Sequence, residues 1–569
     1  MVGIGVVDGI AIQKVFIYSS APRDGRRLEY LGAEQEGARL ASAFGTAEKQ
    51  LAATAERLAR EAGEDEAGII EYQINILRDK VFADKIAQLV VGGASCEDAV
   101  TAVCSEYCEI FGNLDNDYLQ QRKIDIIDIQ ARLLGILGGR EGFAVAGRPA
   151  IIAAEDLAPS QVAEMDPKRV KGILLEKGGK SSHSVILAQS LGIPCIIGLT
   201  GLLGRLGGHE TVIMDGSAGT VTIDPDAKTL AAYRRQLEKD AEAKKSLLAY
   251  VPIVPATRDG VRVNVYANIA SAVETGPLLE SGGEGVGLLR TELLYMGFSD
   301  TPSREAQFKA YSKIAESLGQ RPLIIRTLDA GGDKEIPYLG IGEEANTFLG
   351  YRAIRYCLDH EALFKDQIAA ILQAARHGNV KMMFPMIATM DELFKAKALV
   401  AETKAELLSR GVAFADVPIG MMMEVPAAAL MADLFAKHVD FFSIGTNDLA
   451  QYLFAADRNN GKVAYLNSFY HPALIRCVNA ICAAAKGNGL EVDICGRAGE
   501  APDLIPLWAA MGVSGLSVSI PSIPAVKKAV CETDTAASSE ILAEALQLST
   551  AQEVLDCIKD VNGGILTAL

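Results

Sequence analysis

The chain has 569 residues, too many for one hydrophobic core, so its length points to two to four domains. Apolar residues make up 49% of it, which excludes a disordered chain. Its formal net charge of −17 argues against nucleic acid as a partner, because phosphate backbones need a basic face.

Ten cysteines without a CxxC pair suggest neither a disulfide framework nor a zinc site. The apolar start MVGIGVVDGI holds Asp8 and lacks the basic residues of a signal peptide. No apolar run reaches the length of about 18 residues needed for a membrane span. These features predict a protein of the reducing cytoplasm.

Residues 3–19 read as two short strands around Asp8-Gly9. A helical pattern follows. Leu51, Ala55, Leu58 and Ala62 recur at helical spacing, as do Ile69, Tyr72 and Ile76. Further helices are expected near 80–91, 97–112 and 115–138, closed by Gly138-Gly139. This pattern predicts a helical domain inserted into a smaller α/β domain, with a passive scaffold insertion as the alternative. From Pro149 onward the segments PAIIAAE, GILLEK, CIIGL, TVIMDG and TVTIDP read as short strands bounded by Gly, Asp and Pro. Residues 226–249 form a charged helix stopped by Pro252 and Pro255, which has the character of a linker.

Strands and helices then alternate to the end. The strand candidates are 261–267, 285–289, 323–328, 380–386, 419–424, 440–445, 490–495 and 516–520. Eight strands separated by helices predict a (β/α)8 barrel. Asn268, Arg290, Arg326, Asp329, Glu424, Asn447, Asp448 and Cys495 all fall at or just past a strand's C-terminal end. That face of a barrel carries active sites.

Four groups of residues carry chemistry. His183, in GGKSSHSVILAQS, stands near a helix start among hydroxyls and glycines, where anions are stabilised. An imidazole so placed can accept and hold a phosphoryl group. Arg290 and Arg326 close neighbouring apolar strands and offer planar forks to a phosphate or carboxylate. Ion pairing with Glu292 or Asp329 is the alternative. Glu424 and Asp448, on consecutive strand ends, can share one Mg²⁺, although structural capping would also account for them. Asn447 and Arg458 lie close enough to serve the same ligand. Cys495 ends another strand and could donate a proton, but read from its residue type alone a buried structural cysteine is the commoner case.

Together these segments resemble enzyme I of the bacterial phosphoenolpyruvate-dependent sugar phosphotransferase system. The resemblance covers nearly the whole chain. It rests on GIGVVDGIAIQKVF, GGKSSHS, VIMDGSAGTVTIDPD, GVGLLRTELLYM, RTLDAGGDKEIPY, FLGYRAIR, MMFPMI, MEVPAAA, DFFSIGTNDLAQY and HPAL. The resemblance implies a multidomain α/β fold. Residues 1–20 and 142–225 would form a swivelling phosphohistidine α/β domain, and 21–141 an inserted helical bundle that binds the carrier protein HPr. Residues 226–252 would be a linker helix and 253–569 a C-terminal (β/α)8 TIM barrel binding phosphoenolpyruvate.

It further implies that His183 is phosphorylated on Nε2, that Arg290 and Arg326 bind the substrate phosphate, and that Glu424 and Asp448 hold Mg²⁺. Asn447, Asp448 and Arg458 would contact the substrate, and Cys495 would protonate the enolate of pyruvate. The phosphoryl group would pass on to HPr, as the first step of sugar uptake, and barrels would pair into a homodimer. No nucleic acid or membrane insertion is expected.

Two segments depart from the family pattern. GGKSSHSVILAQS stands where GGRTSHTAIMARS is common, so Lys180, Ser181, Ser184 and Gln189 differ. CGRAGEA stands where CGEMAGD is common, so Arg497 replaces an acid, and Gly499 and Glu500 shift the small-residue pattern. If Arg497 turns toward the sulfur, it should lower the pKa of Cys495. The second departure also leaves open a catalytically weakened regulatory paralogue that binds HPr or senses phosphoenolpyruvate.

Overall fold

The computed structural model describes residues 1–18, 30–61, 64–112, 117–138, 148–179, 182–298, 300–332, 334, 336–342, 346–458, 460 and 462–561. They fall into two compact units, Met1–Lys239 and Asp240–Leu569.

In the first unit, β1 (Ile4–Val7) and β2 (Ile10–Ile17) flank Asp8-Gly9, where Gly9 takes a φ of 133° that side chains rarely allow. Five helices follow: α1 (Ala33–Glu61), α2 (Glu64–Arg78), α3 (Lys80–Val91), α4 (Cys96–Gly112) and α5 (Asp117–Leu137). α1 buries Leu40, Ala43, Ala47, Leu51, Ala55 and Leu58, a stripe at three- and four-residue spacing that faces the bundle core. Asp79 caps α3 by accepting from the Phe82 N–H at 3.0 Å. The expected end of this region at Gly139 lies outside the described residues.

The chain then returns to the sheet through β3 (Ala150–Ala154), α6 (Pro159–Ala163), β4 (Val170–Leu175), α7 (His183–Ser190), β5 (Cys195–Ile197), β6 (Thr211–Asp215) and β7 (Thr220–Ile223). The strand order is β1-β5-β4-β3-β2-β6-β7; β2 to β5 run parallel, and β1, β6 and β7 are antiparallel to their neighbours. Strand alternation divides β3 between two cores. Ile152 and Ala154 join the bundle, while Ile151 and Ala153 pack on the other face. A buried polar relay ties bundle to sheet. Gln73 donates to Asp128 Oδ2 at 2.9 Å, and the Ser160 hydroxyl, in α6, donates to Asp128 Oδ1 at 2.7 Å.

α8 (Ala227–Leu247) is the charged helix expected there, and the boundary between the two units falls within it. In the second unit, Lys527 Nζ donates to the carbonyls of Val251 at 2.7 Å and Gly282 at 2.9 Å, which anchors the chain just before the barrel.

Eight parallel strands close the barrel: β8 (Asn264–Ile269), β9 (Val286–Arg290), β10 (Pro322–Arg326), β11 (Asn379–Phe384), β12 (Ile419–Met423), β13 (Phe441–Ile444), β14 (Glu491–Ile494) and β15 (Gly515–Val518). The (β/α)8 expectation holds. β8 starts three residues later than position 261 expected for it, at Asn264. A turn takes up the difference: the Thr257 N–H donates to the Val261 carbonyl and the Val261 N–H to Thr257 Oγ1, both at 2.9 Å. Along the strands, Leu289, Ile325 and Phe442 join the main core of the unit, while the alternate residues Leu288, Ile324 and Phe441 cluster with Met383, Met422 and Cys495. Among the described residues no helix is long and apolar enough to cross a membrane.

Candidate active site

Parallel register sets the first pair of functional groups. Arg290 and Arg326 are backbone partners at the ends of β9 and β10. Their environments differ. Arg326 is 5% exposed, donates to Glu292 Oε1 at 2.6 Å and lies 3.0 Å from Asp329 Oδ2. The ion-pair alternative therefore describes Arg326. Arg290 is exposed, and no carboxylate among the described residues pairs with it.

Asp329 is the hub of this network. It is fully buried, yet it receives Lys334 Nζ at 2.6 Å and Arg352 Nη2 at 2.8 Å besides Arg326. Burial opposes its charge, but Lys334, Arg326 and Arg352 hold its carboxyl well below the usual range. Backbone shape makes room for the cluster. Gly331 and Gly332 take φ of 102° and 73°, and a Cβ on Gly331 would come within 2.6 Å of the Arg352 side chain.

Glu424, just past β12, is 1% exposed, and its Oε1 accepts from the Met386 N–H at 2.7 Å. Met386 holds a φ of 55°, a strained conformation for a non-glycine residue, in making that bond. Burial pushes the Glu424 carboxyl up to about 8, helped by the negative charges of Asp448 and Asp329. A buried carboxylate so placed is stabilised by an added cation. Asp448, in the helix Thr446–Phe454, accepts from Arg458 Nη1 at 2.8 Å and lies 3.5 Å from Arg352 Nη2. Glu424 and Asp448 offer hard oxygen ligands, the donor type that magnesium takes. Among the described residues there is no group of three or more histidines, cysteines or acids placed to hold a metal ion.

Cys495 follows β14 and is 6% exposed among the barrel's inner side chains. Its Sγ lies 3.6 Å from the Ile444 carbonyl, and burial pushes the thiol up to about 12. Arg497 is exposed. Its backbone N–H donates to Asn447 Oδ1 at 3.1 Å, and Glu500 Oε1 accepts from the Ser519 N–H at 2.6 Å. Apart from burial, the groups acting most strongly on the thiol are Ser443, Glu424, Arg326 and Asp493. The departure at Arg497 thus changes a surface side chain while its main chain orients Asn447.

His183 is the first residue of α7, and Ser182 caps that helix by accepting from the Val185 N–H. Ser184 donates to the Leu157 carbonyl at 2.5 Å, which ties the helix start to the loop before α6. Lys180 and Ser181 lie outside the described residues, as does the side chain of His183.

Sequence comparisons agree with this architecture. Residues 245–535 match the family described as PEP-utilising enzyme, PEP-binding domain; residues 2–122 match its N-terminal domain and 146–219 its mobile domain. Phosphoenolpyruvate-protein phosphotransferase from Priestia megaterium is 38% identical over 561 residues, covering 98% of each chain. The chain belongs to the phosphoenolpyruvate-protein phosphotransferase family. The relative from Geobacillus stearothermophilus is 39% identical over 98% of this chain and 97% of its own, and that from Bacillus subtilis (strain 168) is 37% identical over 98% and 99%.

Within this phosphotransferase fold, the barrel brings Arg326, Glu424, Asp448 and Arg458 into one charged network, with Arg290 beside Arg326. Sequence reasoning missed Lys334 and Arg352. Neither ends a strand; both lie in the long loop after β10, so strand-end logic could not find them. The available signal was Gly331-Gly332, a glycine pair that lets a loop fold back on a strand end.

Proposed function

We propose that the barrel binds phosphoenolpyruvate, that its phosphoryl group passes to His183 and then to the histidine of HPr, and that pyruvate is released, as the first step of sugar uptake by a phosphotransferase system. The observation that carries this reading is the charge balance of the barrel network. With Glu424 ionised, as a bound cation would hold it, Arg290, Arg326, Lys334, Arg352 and Arg458 set five positive charges against the four of Glu292, Asp329, Glu424 and Asp448. One net positive charge remains, and a divalent cation raises it to about three, the charge of a carboxylate plus a doubly ionised phosphate.

In this reading Arg290 and Arg326 meet the phosphate, and Asn447 and Arg458 meet the carboxylate. Glu424 and Asp448 would hold Mg²⁺, which when bound neutralises charge on the phosphoryl oxygens. Arg326, fixed by two carboxylates, needs little reorganisation as charge develops. The P–O bond to the enol oxygen breaks as a P–N bond to His183 forms. The enolate carbon then takes the proton of Cys495, which burial keeps as a thiol, and solvent restores it. His183 belongs to one compact unit and the barrel to the other, so domain motion about residues 226–252 would alternate between substrate and HPr.

The domains then take the roles implied by family resemblance. Residues 1–20 and 142–225 carry the phosphohistidine, 21–141 dock HPr, and 253–569 bind phosphoenolpyruvate. Acidic side chains would favour a basic carrier; those of Glu61, Glu64, Asp65 and Glu66 lie outside the described residues. We also propose a homodimer through the barrel, supported by Leu430, Leu434 and Phe394, which are 86%, 40% and 46% exposed. A cytoplasmic setting is supported by ten free cysteines.

The test is incubation with ³²P-labelled phosphoenolpyruvate and Mg²⁺, with and without HPr. Label on His183, its transfer to HPr and stoichiometric pyruvate are expected. His183→Ala should take up no label while its barrel still binds phosphoenolpyruvate. Labelling of that variant at another residue overturns the assignment. Binding without pyruvate formation in the parent protein would favour the regulatory paralogue.

A further inference from the structure

We propose that Phe348 is a positioning residue that sets the plane of the Arg458 guanidinium, an inference resting on the reading that Arg458 meets the substrate carboxylate. Phe348 lies in a short turn, Thr347–Leu349, in the loop after β10 and away from every strand end. Its ring has the Arg458 guanidinium 5.3 Å from its centroid and that of Arg352 at 5.9 Å. One aromatic ring thus serves two cations of the same network.

The ring is itself held. The Phe348 carbonyl accepts from the Tyr452 hydroxyl at 2.6 Å, and that hydroxyl accepts from Arg352 Nη1 at 3.2 Å. A Cβ on Gly332 would lie 3.3 Å from the Phe348 ring, so that ring packs against bare backbone. Arg458 is also fixed from its own side: its N–H donates to Gln451 Oε1 at 3.1 Å, and Nη1 to Asp448 Oδ1 at 2.8 Å. The hydrogen bond to Asp448 holds one edge of the guanidinium, and the ring bears on the group as a whole. An aromatic ring near the group selects one plane, and the plane decides whether the fork meets a carboxylate edge-on.

An orientation of this kind strengthens substrate binding before and during reaction alike, so its loss should appear in KM rather than kcat. Phe348→Leu keeps apolar volume but lacks the ring quadrupole. It should raise the KM for phosphoenolpyruvate about ten-fold with kcat within about two-fold, whereas Phe348→Tyr should keep both near the parent values. Phe348→Met provides a second ring-free variant should the leucine variant fail to fold.

A readout without substrate separates this proposal from the reading beneath it. Phenylglyoxal modification of Arg458, followed by peptide mass spectrometry, should be faster in the ring-free variants than in the parent and the tyrosine variant. Unchanged labelling of Arg458 overturns the proposal, as does a fall in kcat with unchanged KM. If the parent protein itself does not consume phosphoenolpyruvate, the substrate reading fails, while the labelling still decides whether Phe348 orients Arg458.

Discussion

Arg352 Nη2 donates to Asp329 Oδ1 at 2.8 Å with both side chains withdrawn from solvent. Breaking such a pair leaves an uncompensated buried charge. Asp329→Asn, which strands Arg326, Lys334 and Arg352 around a neutral group, should destabilise the barrel by about 3–5 kcal/mol. Arg352→Met should cost less, because Lys334 and Arg326 still compensate Asp329. Urea unfolding of the full chain, followed through the barrel's transition, tests both values and their order.

Glu424→Ala and Asp448→Ala should each abolish metal-dependent phosphorylation from phosphoenolpyruvate, since water cannot replace a carboxylate's charge in a buried site. Exchange between phosphorylated His183 and HPr should survive in both, because it does not use the barrel. Unchanged autophosphorylation in either variant removes that residue from the metal site. The same pair differs in stability. Glu424→Ala should stabilise the metal-free protein at neutral pH relative to Asp448→Ala, because Asp448 has Arg458 as a close partner.

For Cys495, burial decides the pH behaviour. The thiol, pushed up to about 12, stays protonated throughout the physiological range and is ready to donate. Cys495→Ala should slow pyruvate formation far more than it weakens substrate binding. Arg497→Glu should leave the alkaline limb of the pH–rate profile in place, because Arg497 faces solvent and touches the site through its main chain. A shift of that limb would mean that the side chain reaches the sulfur after all.

Asp493, within β14, supplies a stability switch. Burial pushes its carboxyl from 3.8 up to about 7; Lys381 nearby lowers it and Glu491 raises it. The folded protein therefore keeps this proton to near pH 7, while the unfolded chain releases it near pH 4. The unfolded state binds fewer protons across that window, so this residue's contribution to stability falls as pH rises through it. Asp493→Asn should be close to neutral at about pH 4 and stabilising at about pH 8, as read from denaturation midpoints across that range. Equal midpoint differences at both ends would show that the carboxyl titrates normally.

Much of the fold was legible because periodicity reports burial. The alternation in residues 149–225 and the eight apolar runs after residue 260 gave the strands, and the helical spacing of Leu51, Ala55 and Leu58 gave α1. Polar residues at strand ends pointed to the barrel face where Arg290, Arg326, Glu424, Asp448 and Cys495 stand. The local motif at His183 gave its helix start, with Ser182 as the cap.

Pairing was not legible. Nothing local in Arg352 or Lys334 says that both reach Asp329, nor that Met386 adopts a φ of 55° to donate to Glu424. Sequence determined which groups could carry charge and on which strand ends several of them stand. Tertiary structure alone decided that Arg326 is neutralised while Arg290 is exposed, and that the Cys495 thiol is buried while Arg497 looks outward. The physical reason is that hydrophobic periodicity is a property of neighbours along the chain. Coulomb energy and desolvation depend instead on distances between residues that only the closed barrel brings together.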